Sequence, residues 1–201
     1  MNIIFQTEHS FSERLYLSKF KIKSDEFNLA QPGRYGQLND KARKSGPYSL
    51  ILDKEHPNFL WICSRKKMIF SFDDIVNIDS THGQMIAADK KKYICCAAGT
   101  GVTPFLSLLK STNQEFKCFW MLSDLRDLLI LEYFGLRKDF QLFEYDKDIV
   151  LIKKSLKEYI PMHDVMFYLA GSYNFVTRVG DWLLKEGVIP ERIISDMKKF
   201  Y

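Results

Sequence analysis

Gly99-Thr100-Gly101-Val102-Thr103-Pro104 follows the apolar run Tyr93–Ala98 and opens the helix-like stretch Phe105–Lys110. A strand that turns sharply on small residues into a helix aims several backbone N–H groups at one spot. That spot also receives the positive end of the helix dipole, which suits a phosphate or pyrophosphate. Gly99 and Gly101 allow the tight turn and a close backbone approach, Thr100 adds a hydroxyl, and Pro104 suits the first helical turn, where no donor is needed. Glycine turns between strand and helix also arise from packing alone. Here the strand before and the helix after supply the context that a nucleotide-binding reading requires.

Outward from this turn the chain changes period. Residues 1–88 carry short apolar runs, Leu15–Ile22, Tyr48–Leu52, Phe59–Cys63 and Ile75–Ile78, punctuated by Pro32-Gly33, Ser45-Gly46-Pro47, His56-Pro57-Asn58 and His82-Gly83. This pattern predicts a small all-β half, for which closure into a barrel hides the strand edges. Residues 90–201 alternate instead. Predicted strands are Tyr93–Ala98, Phe116–Leu122, Phe140–Tyr145, Val165–Ala170 and Ile193–Ser195. Predicted helices are Pro104–Lys110, Leu125–Phe134, Ile152–Tyr159 and Phe175–Glu186, the last stopped by Gly187. Such alternation implies a parallel sheet covered on both faces, with ligands at the carboxyl ends of its strands. The domains are read as 1–89 and 90–201, with the boundary near Ala88–Lys92.

The composition excludes several classes. In 201 residues, 46% hydrophobic and 14% aromatic content argues for a filled core, and the net charge of +4 is spread among acids. The basic runs Arg65-Lys66-Lys67 and Lys90-Lys91-Lys92 are short and lack nucleic-acid motif spacing. Cys63, Cys95, Cys96 and Cys118 form no CxxC pair and lie in apolar runs, so buried free thiols are expected rather than a zinc or iron–sulfur site. Met1–His9 lacks a signal-peptide pattern, and no apolar stretch approaches the ~18 residues of a membrane span. The expectation is a cytoplasmic chain. No serine stands in a GxSxG turn, and His9, His56 and His163 stand alone.

Asp124 lies 23 residues after Gly101 (124 − 101), just beyond a predicted strand. An acid at about 20 residues binds a ribose hydroxyl in many dinucleotide folds, while Ser123-Asp124 equally suits the cap of the next helix. Arg126, Arg137 and Lys138 suit a 2′-phosphate or plain solvation, so the choice between NADH and NADPH stays open.

Six segments in order carry a family resemblance. They are Gln31-Pro32-Gly33-Arg34-Tyr35, Gly46-Pro47-Tyr48-Ser49-Leu50, Asp79–Gln84, Ala98–Leu106, Tyr168-Leu169-Ala170-Gly171 and Gly187-Val188-Ile189-Pro190-Glu191-Arg192-Ile193. Together they resemble the PGQY, RxYS, GPxG, AGGTGxxPFLS, YxCG and GVPxERI motifs of the ferredoxin–NADP reductase-like superfamily. The resemblance implies a Greek-key flavin-binding barrel followed by an α/β NAD(P)-binding domain, with FAD or FMN held between them. It further implies hydride delivery from NADH or NADPH and electrons leaving to a free flavin or an electron-carrier protein.

By the same resemblance Tyr48 and Ser49 would meet the flavin, Ser49 close to the reacting ring. Gly99, Thr100, Gly101 and Pro104 would cradle the nucleotide pyrophosphate, and Gly171 would let the nicotinamide arm pass. Asp196 takes the place of a glutamate near the nicotinamide, and Phe200-Tyr201 that of a terminal aromatic stacked on the flavin. Three positions depart from the pattern. Gly46 stands where the phosphate-pairing arginine belongs, Arg65–Asp74 is shorter than the segment carrying a GxxS or GxxT turn, and Ala170 replaces a cysteine. The first two weaken the same phosphate grip, which implies a loosely held or dissociable flavin. A non-catalytic binding module and a partner-dependent electron-transfer subunit are the alternatives.

Overall fold

The computed structural model describes residues 1–23, 34–40, 43–53, 55–82, 92–111, 115–144, 149–195 and 200. Packing divides the chain into two units, one of Met1–Ala87 with Thr103–Thr112 and Arg126–Phe134, the other of Ala88–Val102, Asn113–Leu125 and Gly135–Tyr201.

The first unit is built on a closed antiparallel barrel of β1 (Asn2–Ser12), β2 (Leu15–Ile22), β3 (Tyr35–Asp40), β4 (Arg43–Leu52), β5 (Phe59–Ser64) and β6 (Ile75–His82), in the order β1-β2-β5-β4-β3-β6. Its core joins Ile3, Phe5, Phe20, Ile22, Leu38, Leu50, Leu60, Ile62, Val76 and Ile78. Alternate residues of each strand supply these side chains, as a two-residue period requires. Helix α1 (Thr103–Ser111) belongs to this unit. Leu52 N donates to Ser107 Oγ at 3.2 Å, and Lys110 Nζ lies 3.5 Å from Asp53 and 3.3 Å from Glu55. The short helix α2 (Leu129–Tyr133), entered by a 3₁₀ turn, brings Tyr133 and Phe134 to Trp61 of β5.

β2, β8 and β10 have the bounds expected from the sequence, whereas β1 and β3 carried no clear signal. The bulges between Phe5 and Thr7 and between Ser10 and Ser12 break the alternation of β1. β3 is six residues long and its register shifts against both neighbours.

The second unit is a parallel sheet of β7 (Lys92–Ala98), β8 (Phe116–Leu122), β9 (Phe140–Glu144), β10 (Val165–Ala170) and β11 (Ile193–Ile194), ordered β11-β10-β7-β8-β9. Helices α3 (Ile149–Leu156) and α4 (Tyr173–Lys185) cover one face over Ile94, Cys96, Phe119, Met121, Phe167 and Leu169. The central strands β7, β8 and β10 are buried almost without a break, as the sheet of an α/β unit should be, whereas the edge strand β9 alternates with exposed residues.

Arg192 fastens the edge of this sheet. Its buried guanidinium donates to the carbonyls of Val165 at 2.8 Å, Ile160 at 3.1 Å, Tyr159 at 3.4 Å and Met162 at 2.6 Å. These bonds fix the turn that feeds β10 and the start of β11, which pairs Ile193 with Phe167.

Candidate functional site

The chain runs from β7 outward through β8 to β9, then crosses back to place β10 on the other side of β7. The strand order therefore reverses between β7 and β10, and in open α/β sheets a crevice forms outside the carboxyl ends at such a point. Both glycine turns predicted from the sequence emerge there. Gly99–Val102 forms a 3₁₀ turn directly after β7, and Gly171 follows β10.

The two turns meet backbone to backbone. A Cβ on Gly101 would stand 2.4 Å from Ala170 O and 2.5 Å from Gly171 N. One on Gly171, at φ +147°, would stand 3.1 Å from Ala98 N, O and Cβ. Both glycines are thus demanded by the approach of the chain to itself. The same feature leaves a crevice floor made of main chain, with no carboxylate in Gly99–Pro104 or Ala170–Ser172. An anionic pyrophosphate fits such a floor, because peptide N–H groups and the N-terminus of α4 present positive charge.

The turn is pinned from below. Trp120, fully buried on β8, donates its indole N–H to Gly99 O at 2.9 Å, while Gly99 takes φ +54°. Sequence reasoning missed this residue because its partner lies 21 positions away, in the turn after a neighbouring strand. Thr100 is half-buried in the turn, and Pro104 is the second residue of α1, a first-turn position that needs no donor. Ser172 caps α4 by accepting from Phe175 N at 3.3 Å. Asp124 is half-buried two residues past β8, the strand beside β7.

On the barrel, Tyr48 and Ser49 lie in β4. Tyr48 is half-buried and packs on the barrel core, Ser49 pairs with Tyr35, and Tyr35 pairs in turn with His82. An aromatic ring and a neighbouring hydroxyl on alternate faces of one strand suit a flat heteroaromatic ring system with polar edges.

The segment Arg65–Asp74 does something else. Met68 is buried in the barrel core, and Phe70 packs with its ring tilted 5.8 Å from Phe5 and edge-on 6.0 Å from Phe20. Met68 N donates to Glu8 Oε2 at 2.9 Å, Ser64 Oγ to Lys66 O at 2.7 Å, and Asp73 N to Phe5 O at 3.0 Å. In place of a turn of exposed donors, the segment is an apolar plug tied into the barrel. These residues do not fit a flavin phosphate.

Asp196 and Tyr201 lie outside the described residues, as do Gln31, Pro32 and Gly33. Phe200 does not stand out as a stacking surface. It is buried in the core of the second unit, where a Cβ on Gly180 of α4 would meet its ring at 2.2 Å. The four cysteines are buried free thiols, as expected from the sequence. Burial pushes Cys63 up to about 12, with a hydrogen bond from Thr103 opposing and the charge of Asp127 adding to it. Burial also raises Cys95 and Cys96, Cys95 with the help of Cys118. No described helix is long and apolar enough to cross a membrane.

A closed barrel and a parallel sheet with a glycine-lined switch point define the ferredoxin–NADP reductase-like fold, and solved structures of that class superpose on nearly the whole chain. A ferredoxin NADP+ reductase from Neisseria gonorrhoeae with bound FAD and NADP matches with a TM-score of 0.77 at 14% identity, covering 98% of this chain and 97% of its own. The ferredoxin reductase in carbazole 1,9a-dioxygenase gives 0.75 at 14% identity, covering 98% and 68%. The CS-b5R domains of human Ncb5or in the NAD+ form give 0.69 at 15% identity, covering 97% and 68%. No protein-family model and no curated protein matches the sequence.

Proposed function

We propose that this chain is a flavin-dependent NAD(P)H oxidoreductase that uses its flavin as a loosely held or dissociable group. The observation that carries the reading is the seam of Gly101 against Ala170 and Gly171 at the switch point of the sheet. The likeness to a reductase bearing FAD and NADP over almost its full length supports it. Residues 1–89 serve as the flavin half and 90–201 as the nucleotide half.

A flavin held by Tyr48 and Ser49 would supply hydride acceptance and onward electron transfer. The chain's own contribution is binding and orientation. Gly99, Thr100 and Gly101 hold the nucleotide pyrophosphate, Asp124 takes a ribose hydroxyl, and Gly171 leaves room for the nicotinamide arm. Tyr48 offers a flat surface to the flavin ring and Ser49 a hydroxyl to its edge. Asp196 and Tyr201 keep the roles on the nicotinamide and flavin that the sequence resemblance implies. FAD or FMN, either nicotinamide nucleotide, and a carrier protein or free flavin as acceptor all accord with this reading. Four buried thiols accord with a reducing cytoplasm.

A second reading, a binding module without turnover, draws on the apolar plug at Arg65–Asp74. Anaerobic mixing of the protein with excess FAD or FMN and NADH or NADPH separates the two. The reductase reading expects the flavin bands to bleach at a rate that saturates with flavin and collapses in Gly101→Asp. No bleaching above the protein-free rate, with nucleotide still bound in a calorimetric titration, would establish the module instead.

A further inference from the structure

The plug turns Met68 and Phe70 inward and sends its other apolar side chains outward. Ile69 is 81% exposed, Phe72 69% and Ile75 60%. Their display is not the result of a loose loop. Besides the bonds from Met68, Ser64 and Asp73, Phe5 N donates to Asp74 O at 2.9 Å, Asp74 N to Ser71 O at 3.0 Å and Ser71 N to Asp74 Oδ2 at 2.6 Å. A segment fastened this firmly could have hidden such side chains, and soluble surfaces rarely group large apolar residues without a partner for them.

Cations border the patch. Arg65, Lys66 and Lys67 are exposed immediately before it. Across the outer wall of the barrel Ile75 pairs with Ile4, and Ile4 with exposed Lys21. The carboxylates at hand are Glu8, which accepts from Met68 N at 2.9 Å, Asp73, which accepts from Gln6 at 3.4 Å, and Asp74, which accepts from Ser71 N. Four cations therefore face three carboxylates, each already engaged in a hydrogen bond.

We infer that Ile69, Phe72 and Ile75, with Arg65, Lys66, Lys67 and Lys21, dock the barrel on an anionic lipid surface. Lipid suits these side chains better than a folded partner does. A fluid layer closes around apolar side chains spread over Ile69–Ile75 without a preformed site, whereas a protein would have to offer a surface shaped to them. Lysine and arginine beside inserted apolar groups add the attraction to acidic headgroups that makes shallow insertion stable.

The test is co-sedimentation of the intact protein with vesicles of phosphatidylcholine, with and without phosphatidylglycerol. Wild type is compared with the Ile69→Ser/Phe72→Ser double variant and the Arg65→Gln/Lys66→Gln/Lys67→Gln triple variant. Circular dichroism and thermal melts establish that each variant is folded, and both sets of changes lie at exposed positions. The expected result is binding to the anionic vesicles only, a loss of about tenfold in partitioning for each apolar replacement, and a comparable loss in the triple variant. Failure of the wild type to bind would overturn the inference. So would a double variant that binds like wild type, since attraction would then be charge alone. Light scattering that shows a wild-type dimer abolished by the double variant would assign the patch to a second copy of this chain and likewise overturn it.

Discussion

The turn at Gly99–Gly101 and the segment Arg65–Asp74 fall where the sequence resemblance implies grips on two phosphates, and they are built differently. The first is made of peptide groups and glycine Cα, so any sequence that keeps the glycines and the crossing of the chain keeps the geometry. For the second the resemblance implies an arginine and a polar turn, where this chain has Gly46, the buried Met68 and the half-buried Phe70. A site written in the main chain survives wide sequence change because the fold itself maintains it. One written in side chains is lost a residue at a time, and the space is reused for packing.

The sharpest way to break this comparison is to attack what holds the main chain. Arg192→Leu leaves the carbonyls of Val165, Ile160, Tyr159 and Met162 without their donor. The expected loss is about 3–5 kcal/mol in urea unfolding, and Arg192→Lys should recover little because a compact ammonium cannot span the four carbonyls that the planar guanidinium reaches from three separate nitrogens. A variant within about 1 kcal/mol of wild type would show that the edge of the sheet does not need the staple.

Gly101→Ala comes next. Its Cβ would press on Ala170 O at 2.4 Å, against backbone that cannot rotate away. The seam should open, with a loss of about 2–3 kcal/mol and weakened nucleotide binding in a titration. Wild-type affinity in this variant would detach the seam from the ligand.

Met68→Ala probes the other region. Removing a buried plug residue should cost about 2 kcal/mol, with flavin affinity unchanged. A drop in flavin affinity at constant fold would mean that the segment still serves the cofactor after all.

The last effect is that of pH, absent near neutrality and growing only in alkali. Cys63 ionises near 9 in the unfolded chain and near about 12 when folded. The unfolded state therefore loses a proton that the folded state keeps. This stabilisation is full below pH 9 and falls through the window up to about 12, at most ~1.4 kcal/mol per pH unit. Alkaline melts should show the decline, and a chromogenic disulfide should find no thiol at neutral pH before denaturant is added. Fast labelling of the native protein would contradict the burial.

The period change near residue 90 made both halves legible. Apolar runs alternating with helix-like stretches marked the parallel strands, and Gly99–Pro104 and Gly171 marked the carboxyl ends of two of them. What stayed hidden depended on partners far along the chain. Nothing local says that Gly101 meets Ala170, that Trp120 holds Gly99, or that Arg192 reaches back to Tyr159. Phe200 misled for the same reason. A terminal aromatic looks available until Gly180, 20 positions earlier (200 − 180), turns out to leave the notch that buries it.

The bond from Trp120 to Gly99 gives the molecule a built-in optical probe. A buried indole whose N–H is committed to the first carbonyl of the Gly99–Val102 turn senses any shift of that turn as a change in its own emission. Titrating pyridine nucleotide while watching tryptophan fluorescence, with Trp61 and Trp182 each replaced by phenylalanine to silence the background, would report occupancy without flavin or turnover.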